Sequence, residues 1–320
     1  MRDVVRRRQA VAIAEVLRAV DADLWAIIEA PDTGKSRTTV SALERFAVAC
    51  KLRAREAIIG FPSDTEQEIA LMFDPARVTA RHVPVGRVLT EAAARHSEPD
   101  PAPRFDGVYA LDLDGDGETD VHRFSKPPLE AEVEIDGVHH IRMIAVHAKS
   151  KAPHGAETKA EAAAMSLMNR RKQLAQCAWL RARIDGHLAA GDEVIALGDF
   201  NDGPGLDKYE RVFGRSGVEV VMGDRDDPER RMTTPFVKAV RPSQSRPSTA
   251  RFYNDRRQSY LNALIDFVML SPGLASAWAP EWRIWHPFDD AECFNDARLK
   301  SALLDASDHY PVTVDVSVPG

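Results

Sequence analysis

The chain has 320 residues, 44% of them hydrophobic and 28% charged, enough to bury a substantial core and typical of an ordinary soluble globular protein. Its formal net charge of −7 excludes a molecule that is cationic overall, so any polyanion must be met by a local basic patch or a metal ion. Cys50, Cys177 and Cys293 are widely spaced with no CxxC pair, which argues against a disulfide framework or a zinc site. No apolar stretch reaches the roughly 20 residues of a membrane span.

In chain order, MRDVVRRRQAVAIAEVL has basic residues ahead of an apolar stretch, as a signal peptide does, but Gln9 and Glu15 interrupt it. Val5, Ile13, Val16, Leu17 and Val20 are spaced like one face of a helix, so the segment reads as an amphipathic helix. DLWAIIEA reads as a buried strand ending in Glu29, TTVSALERFAVAC as a helix, and REAIIGF and EIALMF as strands. Residues 91–106 are polar and proline-rich and predict a surface loop. EAEVEI and HIRMIAVHAKS predict an antiparallel pair joined at Asp136-Gly137. Residues 157–190 predict a long helix with Leu167, Leu174, Cys177 and Leu180 on its apolar face. EVIALGDF, ALIDFVMLS and PVTVDVSV are the remaining strands. With no internal repeat and no linker, one α/β domain with mixed sheets over residues 1–320 is expected.

VIALGDFND ends an apolar run with a carboxylate and an amide two residues apart. Side chains two apart on a strand share a face, so Asp199 and Asn201 should project together. Other predicted strand ends also carry polar residues that folding does not need: Glu29, His147 and Asp266, with Ser307-Asp308-His309 ahead of the last strand. Singly, each reads equally as a turn, a cap or a salt bridge.

Their order is more specific. A Glu after the first strand, then H-x-K-S, GDFND, IDFVMLS and SDHYPV resembles the endonuclease/exonuclease/phosphatase superfamily over about residues 10–316. That family includes deoxyribonuclease I, abasic-site endonucleases, sphingomyelinases and inositol polyphosphate phosphatases. The resemblance implies a four-layer α/β sandwich, two packed mixed β-sheets flanked by helices, with the motif-bearing loops meeting at one end. It also implies a divalent-metal-dependent phosphodiesterase, foremost a nuclease whose partner is DNA or RNA. A phosphatase or phospholipid phosphodiesterase of the same fold is the alternative.

By that resemblance Glu29 and Asp308 are metal-side carboxylates, hard donors suited to Mg²⁺ or Mn²⁺. Asp199 orients or deprotonates the attacking water, and Asn201 holds that water or a phosphate oxygen. His309 contacts the scissile phosphate, Asp266 fixes its ring, and His147 is a second proton donor. Lys126, Lys149 and Arg170 are candidate substrate-binding cations, although an ordinary exposed lysine would serve as well at position 126. Asp202 and Pro204 resemble a family turn that supports the site loop.

Asp112, Asp114 and Asp116 have the alternating spacing of a calcium loop, but Arg123 stands where its bidentate Glu belongs; an acidic hairpin tip fits equally. Residues 225–257 hold nine Lys or Arg against four acids, with Phe252 and Tyr253 among them. Such a segment suits a polyanion, or a solvated loop. No exposed aromatic hairpin of the kind expected in a sphingomyelinase is evident.

One departure stands out. The family begins with a strand bearing an asparagine at the metal and phosphate, whereas the first asparagine here is Asn169. Either the chain starts downstream of the natural start, which leaves room for an export signal, or the strand is absent. Absence would leave a central sheet position unpaired and predict a catalytically impaired binding module. As given, the sequence reads as cytoplasmic.

Overall fold

The computed structural model describes residues 6–63, 65–96, 101–113, 117–153, 155–206, 210–237, 247–254 and 258–318. Helix α1 (Arg6–Val20) leads into β1 (Leu24–Ala30), followed by α2 (Thr39–Cys50), β2 (Glu56–Ile59), β3 (Glu68–Phe73) and β4 (Val78–His82). Next come α3 (Glu91–His96), β5 (Tyr109–Leu111), β6 (Asp120–His122), β7 (Leu129–Ile135), β8 (His139–His147) and α4 (Lys159–Ala189). After β9 (Val194–Asp199) lie α5 (Glu210–Phe213) and α6 (Gly217–Met222), then β10 (Ala250–Asn254), β11 (Ser259–Ala263) and β12 (Asp266–Leu270). The chain continues through α7 (Pro272–Ala277), β13 (Glu281–Ile284), α8 (Ala291–Asn295), α9 (Ala297–Ala306) and β14 (Val312–Asp315).

A mixed sheet in the order β12-β9-β8-β7-β4 forms one central layer, with β8 and β9 parallel. The second central layer is split into β1-β3-β2 and β13-β14. Leu71, Leu129, Met143 and Leu197 fill the space between the layers. Outside the five-stranded sheet, Leu174, Cys177 and Leu180 of α4 pack on Ala196 and Met269. Outside the other layer, Leu43 and Ala47 of α2 cover Ala57 and Met72, while α1 and α9 pack together through Val16, Ala302 and Leu303. This is the four-layer sandwich expected, but its second layer is discontinuous.

Local chemistry accounts for the elements that present the site. Asp136 and Gly137 both adopt positive φ (51° and 74°), the requirement of a two-residue hairpin turn, and so fix the β7–β8 register that ends at His147. Helix α4 begins with a reciprocal cap in which Thr158 accepts from the Glu161 amide and Glu161 from that of Thr158.

Gly198 explains itself. It has φ +127° inside β9, and a Cβ there would lie 2.1 Å from the Val146 carbonyl oxygen of β8. Gly198→Ala is therefore expected to cost about 3 kcal/mol, read from the urea midpoint at unchanged m-value.

The expected loop over residues 91–106 is corrected in part. Residues 91–96 form α3, and Phe105 is buried against Trp179 and Phe124, so this polar stretch carries an anchor into the core. Residues 97–100 lie outside the described residues.

Candidate active site

Four strand ends and one loop converge at one edge of the five-stranded sheet. In the β8–β9 ladder His147 is opposite Asp199, and in the β9–β12 ladder Asp199 is opposite Asp266. The terminal strand's entry loop joins them, because His309 bridges to Ala250 and its neighbour Tyr310 donates its amide to the Thr249 carbonyl. Glu29 arrives from β1 on a bulge, with φ 60° where the β1–β3 register shifts. Left-handed backbone at a non-glycine residue is uncommon, and Glu29 and Asn201 (φ 50°) both carry it beside this cluster.

Asp199 is nearly buried and accepts from the Asn201 amide at 2.7 Å and from Asn201 Nδ2 at 2.8 Å. Nδ2 also donates to the Ala148 carbonyl at 3.0 Å, so both of its protons are spent on fixing Asp199 and the strand beside it. In this arrangement Asn201 fixes the Asp199 carboxylate. Its convergence with Asp199 does not come from strand alternation. Strand β9 stops at Asp199, and the left-handed turn at Asn201 folds the amide back onto the carboxylate.

His309 Nδ1 lies 3.0 Å from both Asp266 carboxylate oxygens. Asp266 accepts a further bond from the Thr249 hydroxyl at 2.7 Å, and that hydroxyl in turn accepts from the Ile265 and Asp266 amides. Burial works against protonation of His309, but the bonded Asp266 and the charge of Asp199 outweigh it and lift its pKa to about 9. The shift favours the protonated ring, with Nδ1 on Asp266 and Nε2 on the opposite side.

His147 is the opposite case. Burial, and then the charge of Lys126, hold its pKa down to about 3. Lys126 Nζ donates to Nδ1 at 3.0 Å, which leaves the proton of this neutral ring on Nε2, 3.5 Å from Asp199 Oδ2. Lys126 also sits 3.6 Å from Glu29 Oε1, and burial lowers its own pKa.

Asp199 is pushed well above the usual carboxylate range by burial and by neighbouring Asp266. Among the described residues, Asp199, Asp266 and His309 place ligand atoms within 4.8 Å of one another, and Glu29 and Asp308 line the same cavity. The hard oxygen donors of these carboxylates fit a divalent cation such as Mg²⁺ or Mn²⁺.

The predicted cations divide. Lys126 is in the cluster, its pKa lowered by burial and, in smaller part, by the charge of Lys149, whose amide donates to Gln176 Oε1. Arg170 is not a substrate ligand. It is fully buried, with Nη1 bonded to Asp202 and, at 2.7 Å, to Gln173 Oε1. Asp202 also takes the Gly217 amide at 2.5 Å and the Lys151 ammonium, so this network clamps the loop after Asn201 from behind. Arg170→Ala strands a buried carboxylate and is expected to cost about 3 kcal/mol in chemical denaturation.

Other expectations also change. In the basic segment, Arg225 pairs with Glu219, Arg231 donates to the Gly223 carbonyl, and Arg251 lies 3.8 Å over the Tyr260 ring, so these cations have structural partners. Lys238, Arg241, Arg246, Arg256 and Arg257 lie outside the described residues, as do Asp114 and Asp116 of the calcium-like stretch, where Asp112 accepts from the Gly117 amide. The aromatic hairpin not evident in the sequence exists: β10–β11 exposes Tyr253, Tyr260 and Leu261. Its Phe252 ring lies 5.4 Å from that of His309. Thr249 was missed because a lone Thr in PSTARF has no motif; only the fold places its hydroxyl on Asp266.

The layered sandwich with its polar strand ends at one edge is of the deoxyribonuclease I-like class. The chain belongs to the Endonuclease/Exonuclease/phosphatase family, whose sequence profile matches residues 5–309. The members of this family are hydrolases of phosphodiesters and phosphate esters. Among solved structures, the 3'-5' exonuclease (NExo) from Neisseria meningitidis is 15% identical with a TM-score of 0.50, over 98% of this chain and 96% of that one. The catalytic domain of Xenopus laevis APE2 is 18% identical with a TM-score of 0.50, over 98% and 88%. These likenesses establish the fold. No curated protein matches by sequence.

Proposed function

We propose that this chain is a divalent-metal-dependent phosphodiesterase whose substrate is DNA or RNA. The observation that carries the reading is the geometry of two histidines in one cavity: His309 with Nδ1 seated on Asp266 at 3.0 Å, and His147 with Nε2 3.5 Å from Asp199. A hydrolase that must hold a dianionic transition state needs hydrogen-bond donors fixed in this way around the phosphate.

Asp199, oriented by Asn201, receives the proton of the attacking water. His309 presents Nε2–H to the phosphate, and Asp266 and Thr249 keep that ring from turning. His147 Nε2–H is the second donor, held in its tautomer by Lys126. Glu29 and Asp308, which line the cavity beside Asp199, would hold a divalent cation, and it would supply charge neutralisation of the phosphate. The β10–β11 hairpin supports a polymeric substrate, because Phe252 and Leu261 offer an apolar wall on which a base could stack beside His309.

The same hairpin's exposed Tyr253 and Tyr260 favour one second reading, a phospholipid phosphodiesterase meeting lipid through that face. Incubation with plasmid DNA, RNA or sphingomyelin vesicles, in Mg²⁺, Mn²⁺ or EDTA, separates the two. Metal-dependent nicking or shortening of nucleic acid is expected. Release of phosphocholine with nucleic acid left intact would overturn the nuclease reading.

A further inference from the structure

A line of alternating rings and cations runs from the β10–β11 ribbon onto α8 and α9. Side chains two apart on a strand share a face, so Arg251 and Tyr253 stand together on one side of β10, while Phe252 between them turns to His309. Tyr260 is the cross-strand partner of Tyr253, with the rings 5.1 Å apart, and lies diagonally from Arg251, whose guanidinium is 3.8 Å from its ring centre. Arg251 also lies 4.7 Å from the Phe288 ring. Lys300 of α9 then spans Phe288 at 5.1 Å and Phe294 of α8 at 3.6 Å.

Folding does not account for this line. All four rings are exposed, Phe294 by 50% and Tyr260 by 56%, so they form an apolar surface that packing leaves uncovered. Among the described residues no carboxylate is in ion-pair distance of Arg251 or Lys300. The acids of the same segment are engaged elsewhere: Asp290 and Glu292 with Arg283, Asp296 with the first amides of α9, and Asp289 at 3.1 Å from His286 Nδ1. Buried His286 holds Phe288 in place, since Nδ1 accepts from its amide at 3.3 Å and the ring packs edge-on against Tyr310, next to His309.

We propose, resting on the polynucleotide reading above, that this line binds a single-stranded stretch of the nucleic acid outside the catalytic cavity, with bases on the rings and phosphates at Arg251 and Lys300. In a single strand base and phosphate alternate and the base faces are free, which is the pattern of rings and cations here. A duplex keeps its bases stacked on one another and meets only the two cations. A lipid surface is a poorer match, because insertion asks for apolar side chains segregated from charge, and three of these four rings lie beside a cation.

The test measures binding of a labelled single strand of about 15 nucleotides, and of the duplex of the same sequence, in EDTA so that turnover does not enter. The parent is compared with Phe294→Ala/Lys300→Ala and, on a separate element, with Tyr260→Ala. The parent should prefer the single strand, and each variant should bind it about 10-fold more weakly or worse. Bis-p-nitrophenyl phosphate hydrolysis and the melting temperature should not change, since neither Phe294 nor Lys300 lines the cavity. Lys300→Ala alone should also flatten the slope of log affinity against log salt by about 0.7, which a merely structural role would not do. Unchanged single-strand affinity in the variants would overturn the proposal and leave the nuclease reading standing. So would binding of anionic phospholipid vesicles that the same substitutions weaken while the oligonucleotide is unaffected. A parent that neither binds nor cleaves nucleic acid would remove the polynucleotide reading itself, and this proposal with it.

Discussion

His309→Ala is expected to lower metal-dependent diester hydrolysis by about 10³–10⁴-fold while leaving the melting temperature within about 3 °C of the parent. The size follows from what the ring alone supplies: a protonated donor whose pKa of about 9 keeps it charged throughout the neutral range. Asp266 is already held by Thr249, so removing the ring leaves that carboxylate bonded and the fold intact. His309→Gln, which restores a donor without charge, should recover a small part of the rate. Steady-state turnover with calorimetry on the same samples checks both halves. A tenfold loss or less would mean that His309 does not touch the reacting phosphate.

Asp199→Asn is expected to lower the rate by 10³-fold or more, on the order expected when a general base is removed, and yet to raise the melting temperature in EDTA by about 2 °C. The opposed signs have one cause. Asp199 is a nearly buried carboxylate set against Asp266, and burial together with that like charge disfavours its ionised form. An amide of the same shape keeps the acceptor for the Asn201 amide, gives up the one for Asn201 Nδ2, and removes a carboxylate whose ionised form the pocket disfavours. A loss of stability and activity together would show instead that Asp199 is a structural anchor whose hydrogen bonds outweigh its charge. Sites that hold unfavourable charge for chemistry commonly show this trade.

The residues of the cluster were legible in the sequence because each stands at or just ahead of one end of an apolar strand, where folding alone asks for no charge. Glu29, His147, Asp199, Asp266 and His309 stand out for that reason, and the structure brings them to one cavity. Their partners were less legible. Thr249 and Lys151 act through contacts made by chain segments distant in sequence, which no local spacing records. Arg170 was misread for the same reason: an arginine on a long helix looks like a free cation until Asp202, 32 residues away, is seen to neutralise it. Asn201 shows a right result with a wrong geometry, since turn chemistry and not strand periodicity brings it to Asp199. Phe105 lay inside a stretch whose prolines and charges disguised a buried anchor.

The most direct measurement is the rate of bis-p-nitrophenyl phosphate hydrolysis in Mg²⁺ or Mn²⁺ against EDTA, made on the 320-residue chain with His309→Ala beside it. The account predicts metal-dependent turnover that the substitution abolishes. No metal-dependent turnover, or turnover that His309→Ala leaves unchanged, would contradict it.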